Sequence, residues 1–345
     1  MYQGFYKLKE NPFRLTPDPA FMCMTVQHQE ALSGLIYSVC TRPGLSVLMG
    51  EAGTGKTTLL YSLLNLLEKR HFVTVLCTNP MLTREEFYDI LMIKFGVDCA
   101  SPLKSRQLMA LEERLRMWRA EGRPAVLIVD EAQRLSLELL EEIRLLLNIE
   151  TASEKLLQII VAGQPELGEV LRRPELRQLK QRVSCICKLK PLSRLELNEY
   201  LHHRLTRAGL PSQTLFSEET VDLIHNYTQG IPRLVNSLGD SALQTGFALQ
   251  SARITNEIID EAARDLDLVR QVELEPAQSI SELTRVAAST VANVPGSATP
   301  APKNGTTANG KNGHHATPQV RLPLDGYTTR QKSLGFFGSL LERWK

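Results

Sequence analysis

Apolar residues recur along this chain with two different periods, and the changes from one regime to the next divide it. Up to about residue 190, short apolar runs alternate with helical stretches. Leu45-Ser-Val-Leu-Met49, bounded by Gly44 and Gly50, reads as a buried strand; Val73–Cys77, Ala125–Val129, Leu157–Ala162 and Ser184–Leu189 have the same character. Between them the spacing predicts helices over 56–69, 83–95, 105–121 and 136–148, and a basic, interrupted helical stretch over 166–181. Thr83-Arg-Glu-Glu86 has the capping-box form, in which a hydroxyl and a carboxylate satisfy the first free N–H groups of a helix. Strands alternating with helices imply an α/β fold with a parallel sheet covered on both faces.

At Pro191 the strand signal stops. Ser193-Arg-Leu-Glu196 is a second capping box, and helical spacing continues over 193–208, 217–229, 232–250 and 255–266, which predicts a small helical domain. Before the first strand lies a polar-aromatic lead with Pro12, Pro17 and Pro19, followed by a helix near 27–41 with Ala31, Leu32, Leu35, Ile36 and Val39 on one face. The expected divisions are 1–43, a lead packing on the core; 44–190, the α/β domain; 191–268, the helical domain; 269–330, a linker; and 331–345, a short terminal segment. Residues 286–319 are rich in Ala, Thr, Pro, Gly and Asn, with too few large apolar groups to offset ordering entropy, so disorder is expected. In the last segment Leu334, Phe337, Leu341 and Trp344 return to helical spacing beside Lys332, Arg343 and Lys345. Over 334–344 two readings stand: an amphipathic peptide that docks on a membrane surface or partner groove, or incidental hydrophobes weakened as a helix by Gly335 and Gly338.

Composition changes this picture little. The 345 residues are 43% hydrophobic and 23% charged, ordinary for a soluble chain with a large core. A formal net charge of +2 gives no bulk drive toward nucleic acid, although a local basic patch remains compatible. The six cysteines show no C-x-x-C pattern and suit reduced core thiols; Cys185-x-Cys187 points both thiols to one strand face. His202-His203 and His314-His315 have no partners at metal spacing and suit solvated histidines. The N-terminus has no apolar leader, and no run reaches 18 apolar residues. The expected location is cytoplasmic, peripheral to the membrane if the terminal segment docks there.

Chemistry concentrates in two places. Gly50-Glu-Ala-Gly53-Thr-Gly55-Lys56-Thr57 matches G-x-x-x-x-G-K-[ST] in full, with a strand before it and a helix after it. Glycines allow successive N–H groups to turn inward as an anion nest, and the helix N-terminus adds positive potential. Lys56 is expected at the β- and γ-phosphates and the Thr57 hydroxyl on Mg²⁺. The cradle is expected to comprise Gly50, Glu51, Ala52, Gly53, Thr54, Gly55, Lys56, Thr57 and Thr58. Val126-Leu-Ile-Val-Asp130-Glu131 is a Walker B pattern: a buried strand carries two acids at its C-terminal end, where open α/β sheets bind ligands. Asp130 is the expected Mg²⁺ ligand and Glu131 the general base. ATP with Mg²⁺ is the expected ligand, since no N-K-x-D guanine motif occurs.

An ordered set of further pieces carries a resemblance. Phe5-Tyr-x-Leu8-x-Glu10-x-Pro12-Phe13-x-Leu15-Thr-Pro-Asp-Pro19 and His28-x-Glu-Ala-Leu32 precede the glycine loop. Asp130-Glu-Ala-Gln133, Ala162-Gly-Gln-Pro-Glu-Leu167, Leu179-x-Gln-Arg182 and Gly230-Ile-Pro-Arg233 follow it. Over about 1–268 this resembles the ExeA/GspA-type AAA+ ATPases. The resemblance implies a three-layer αβα P-loop core with a parallel sheet, a small all-α lid, ATP hydrolysis and a homo-oligomer. It implies a γ-phosphate sensor at Gln164, with a turn residue before Pro165 as the alternative, and a lid arginine at Arg233. It implies at Arg182 a finger for a neighbouring subunit's ATP, with Arg177 as the rival and a solvated basic helix as the plain alternative. Pro12, Phe13 and His28 are implied near the adenine; anchoring of the lead is the other reading. The membrane helix and peptidoglycan-binding region common in such proteins are not seen, and the layout resembles shorter relatives that accompany exopolysaccharide export and pili. Three functions follow: an ATPase serving assembly of an envelope export system, for secretion or exopolysaccharide; a DNA-associated ATPase of the transposition or origin type; and a non-hydrolysing nucleotide-dependent scaffold.

Overall fold

A computed structural model describes residues 1–41, 44–78, 81–210 and 215–270. The linker from residue 271, the terminal segment 331–345 and His314-His315 lie outside the described residues.

The α/β part begins with α1 (Tyr2–Phe5) and α2 (Val26–Thr41), then runs β1 (Leu45–Gly50), α3 (Lys56–Glu68), β2 (Val73–Cys77), α4 (Arg84–Phe95), α5 (Lys104–Ala120) and β3 (Ala125–Val129). It continues through α6 (Leu137–Leu146), β4 (Leu157–Gly163), the short helices α7 (Glu166–Val170) and α8 (Arg177–Lys180), and β5 (Val183–Leu189). The strands form one parallel sheet in the order β2-β3-β4-β1-β5. Side-chain alternation sorts the apolar runs between two layers. Val126, Ile128, Ile160 and Ala162 face α2 and α3, packing with Leu35, Ile36, Leu59 and Leu63. Leu127, Val129, Ile159 and Val161 face the opposite way, toward Leu91, Leu115, Leu140 and Ile143 of α4, α5 and α6. Strands buried on both faces read as continuous apolar runs, and β3 is buried at every position for that reason. The edge strand β5 instead alternates, leaving Ser184, Ile186 and Lys188 exposed.

The capping boxes at Thr83 and Ser193 both form, with reciprocal bonds between hydroxyl, backbone and the glutamate three residues on. Ser193 opens the helical part: α9 (Arg194–Arg207), α10 (Glu218–Thr228), α11 (Pro232–Ala248) and α12 (Asn256–Asp265). Among the described residues no helix is long and apolar enough to cross a membrane.

The lead expected to pack on the α/β core divides. Its helix α2 does lie against β5 and β1, but Tyr6, Leu8, Phe13 and Phe21 join the core of the helical part, with Leu201, Leu238 and Ile259 among their neighbours. Polar contacts follow the same route: Tyr2 and Asn11 both donate to Asp240 of α11. The physical reason is room. Gly239 of α11 has no side chain where Phe13 sits, and a Cβ there would come within 2.9 Å of the ring.

None of the six cysteines forms a disulfide. The Cys185 and Cys187 sulfurs lie 3.6 Å apart on one face of β5, against Gly34 of α2. His202 is exposed as expected for a solvated residue, but His203 is half-buried.

Candidate nucleotide site

The strand order places three loops side by side. Because β4 lies between β3 and β1, the C-terminal ends of β3, β4 and β1 carry Asp130 and Glu131, Gln164, and the glycine loop as neighbours along one sheet edge. A cavity of about 750 Å³ opens over them.

The loop takes the shape its glycines permit. Gly53 and Gly55 have φ of +83° and +95°, in the left-handed region that side chains disfavour. A Cβ at Gly53 would also lie 2.7 Å from Cβ of Arg233, so the loop's tip accepts the start of α11 only as glycine. The Arg233 N–H donates to the Gly53 carbonyl at 3.2 Å. Lys56 is only 5% exposed, and its ammonium donates to the carbonyls of Gly50 (2.7 Å) and Glu51 (2.8 Å). Burial pushes its pKa down, while the carboxylates of Glu131, Asp130, Glu166 and Glu51 hold it up. Thr54 donates its hydroxyl to the Glu51 carbonyl at 2.8 Å, and the Thr54 carbonyl lies 3.4 Å from His28 Nε2. His28 is buried, with Nδ1 2.7 Å from the Thr25 hydroxyl, and burial lowers its pKa. It thus supports the loop through the Thr54 carbonyl and also lines the cavity.

At the acid end, the Thr57 hydroxyl donates to Asp130 Oδ2 at 2.7 Å, and the Glu131 N–H donates to Asp130 Oδ1 at 2.9 Å. Asp130 is 2% exposed. A hydroxyl and a carboxylate so close suit a hard cation that keeps waters and takes phosphate oxygens as its other ligands. Mg²⁺ fits that donor set. Among the described residues no cluster of three or more His, Cys, Asp or Glu is arranged to hold a metal alone. Glu131 has φ of +55°, and its side chain reaches the cavity.

Of the other expected residues, Ala52, Gly53, Thr54, Gly55, Thr58, Gln164 and Arg233 line the cavity. Gly50 and Glu51 contribute their carbonyls to Lys56. Arg182 is not brought to this cavity. It precedes Val183, which pairs with Leu45 at the start of β1, so it stands at the sheet end opposite the glycine loop. Arg177 is likewise absent from the lining. Pro12 and Phe13 belong to the lead's anchor, not to the wall: the Pro12 carbonyl accepts from Arg204, and Phe13 is fully buried.

Two groups escaped the reading of the sequence. Arg14 to Cys23 of the lead, with Tyr200, Arg204 and Asn236 of the helical part, form the far wall of the cavity. Arg204 is 6% exposed and donates to the carbonyls of Pro12 (2.6 Å), Arg14 (3.0 Å) and Phe21 (3.5 Å); its guanidinium also lies over the rings of Phe21 and Tyr200. Its signal was available: Leu197, Tyr200, Leu201 and Arg204 recur at i, i+3, i+4 and i+7 on one buried helix face. Gln133, inside the Asp130-Glu-Ala-Gln133 piece, contacts both Glu131 and Gln164.

Residues 40–171 match the AAA domain family. The chain is 37% identical over 271 residues to general secretion pathway protein A of Aeromonas hydrophila, across 78% of this chain and 49% of that protein. It thus spans about half the length of that curated relative. Among solved structures, Drosophila ORC bound to DNA aligns at TM-score 0.59 and 17% identity, over 84% of this chain and 72% of that one. CDC6P from Pyrobaculum aerophilum aligns at TM-score 0.57 and 15% identity, over 76% and 70%. At these identities the likeness is one of fold. The resemblance to the ExeA/GspA-type proteins holds, and so does the P-loop α/β fold with its parallel sheet and following helices.

Proposed function

We propose, on the premise that this chain is an ExeA/GspA-type AAA+ protein, that it binds Mg²⁺-ATP in the cavity described and hydrolyses it within an assembly serving envelope export. The observation that carries this reading is the convergence of Lys56, Thr57, Asp130 and Glu131 at the C-terminal ends of β1 and β3, on either side of β4, with Thr57 and Asp130 2.7 Å apart.

The loop N–H groups, the N-terminus of α3 and the Lys56 ammonium form an anion-binding subsite for the phosphates. Buried and partly desolvated, Lys56 gains by exchanging its carbonyl partners for phosphate oxygens. Thr57 and Asp130 would hold Mg²⁺, which would supply positive charge against the phosphates. Glu131 orients water and receives its proton, and Gln164 and Arg233 stand beside the terminal phosphate. The wall from Arg14 to Cys23, with Tyr200 and Asn236, encloses the base.

Hydrolysis in this scheme belongs to an oligomer. Arg182 lies at the sheet end away from its own cavity, which suits a guanidinium that completes a neighbour's site. The 37% identity to general secretion pathway protein A supports a role in secretion, and exopolysaccharide export is the other pathway in this proposal. Turnover of the full chain, compared with Glu131→Gln, tests the enzyme reading: a large drop with ATP still bound supports it. Equal inactivity of both under every assembly condition would leave a nucleotide-dependent scaffold instead.

A further inference from the structure

Gln133 lies just beyond the Walker B acids, and both ends of its carboxamide are engaged. Its Nε2 donates to Glu131 Oε2 at 2.8 Å, and its Oε1 accepts the Gln164 N–H at 3.1 Å. The partners fix the orientation of the amide: only oxygen can meet a backbone N–H, and only nitrogen can meet a carboxylate. One side chain therefore bridges the loop after β3 to the residue after β4. A third observation shows how closely the bridge is fitted. Gly163, the last residue of β4, is pressed against it, and a Cβ there would lie 2.6 Å from Gln133 Oε1 and 3.1 Å from Gln133 N.

The geometry points to Gln133 as a positioning residue that holds the Glu131 carboxylate for attack on ATP and ties it to the strand end carrying Gln164. Occupying one carboxylate oxygen leaves the other to receive a proton from water. Glu131 takes a left-handed backbone conformation, and its own N–H is spent on Asp130 Oδ1, so its carboxylate needs a separate tether. The bridge makes the base's position depend on Gln164: a shift of that backbone toward a terminal phosphate moves the amide and, with it, the carboxylate. Gly163 leaves the space in which this occurs. This assignment rests on Glu131 being the general base.

Gln133→Met in the full chain keeps length and bulk but removes both hydrogen bonds. A base released from its tether loses turnover on the order of 100-fold. The affinity for Mg²⁺-ATP, the thermal midpoint and the oligomer distribution are expected to stay at wild-type values; a merely structural residue would move these together with turnover. Gly163→Ala displaces the amide while residue 133 stays glutamine, so it lowers turnover in the same way, and the double variant falls no lower than the worse single. Wild-type turnover in Gln133→Met, or losses that multiply in the double variant, would overturn the assignment. If Glu131→Gln is inactive while Gln133→Met is not, only the role of Gln133 falls; if Glu131→Gln is as active as wild type, the general-base reading falls and carries Gln133 with it.

Discussion

Arg204→Met tests whether the N-terminal lead is a working wall of the nucleotide cavity. The guanidinium is buried, and three backbone carbonyls of the lead are its hydrogen-bond partners. The contacts at 2.6 and 3.0 Å are full hydrogen bonds, and the one at 3.5 Å lies at the limit. Bonds from a charged donor are worth about 1.5–3 kcal/mol each, so two represent about 3–6 kcal/mol. Against this, burial of the cation is costly, and its pKa is lowered for that reason. Methionine removes that cost and keeps most of the packing on Phe21 and Tyr200, but orphans two carbonyls. The expected net loss is about 2–3 kcal/mol in urea unfolding. If about half of that loosens the wall, affinity for ATP falls about tenfold. Unfolding and nucleotide titration on the same preparation read both quantities. A change below about 0.5 kcal/mol with unaltered affinity would refute the reasoning.

Gly230→Ala should disable the turn that presents Arg233. Gly230 has φ of +69°, and a Cβ there would lie 1.9 Å from the Leu192 carbonyl oxygen. The left-handed backbone alone costs about 1–2 kcal/mol, and the overlap forces a backbone shift, so thermal unfolding should drop clearly and ATP affinity with it; an unchanged midpoint would contradict the geometry. His28 should make stability acid-sensitive. Burial lowers its pKa below 6.5, so the folded state binds fewer protons than the unfolded one, and its contribution is full above pH 6.5 and is lost as pH falls toward the folded value. The unfolding free energy of His28→Asn should therefore vary less than wild type between about pH 7 and 5; parallel curves would show that His28 is not the group responsible.

Much of the α/β part was legible because the chemistry is local. Each strand is an apolar run ended by glycine or a polar residue, and the glycine loop and the acids after β3 sit at strand ends that the pattern itself marks. The capping boxes also carry their partners within four residues. What stayed hidden depends on contacts distant in sequence. Tyr2 and Asn11 meet Asp240 across 238 and 229 residues, and no periodicity announces such a pair. Arg204 finds its partners, the Pro12 and Arg14 carbonyls, 192 and 190 residues away in the lead. Gln133 stands in the Asp130-Glu-Ala-Gln133 piece with no role of its own until β4 brings Gln164, 31 residues on, alongside. Arg182 differs again: its proposed role needs a second chain, so a single fold shows only that it stands away from its own cavity.

Calorimetric titration of Mg²⁺-ATP onto the full chain and onto Lys56→Ala tests the central claim most directly. The Lys56 ammonium, held on the loop carbonyls of Gly50 and Glu51, is the cation of the anion-binding subsite, so its removal should weaken binding by about 10- to 100-fold while circular dichroism and unfolding show an intact fold. Equal affinity in the two proteins would contradict the account, because ATP would then be binding somewhere other than the glycine loop.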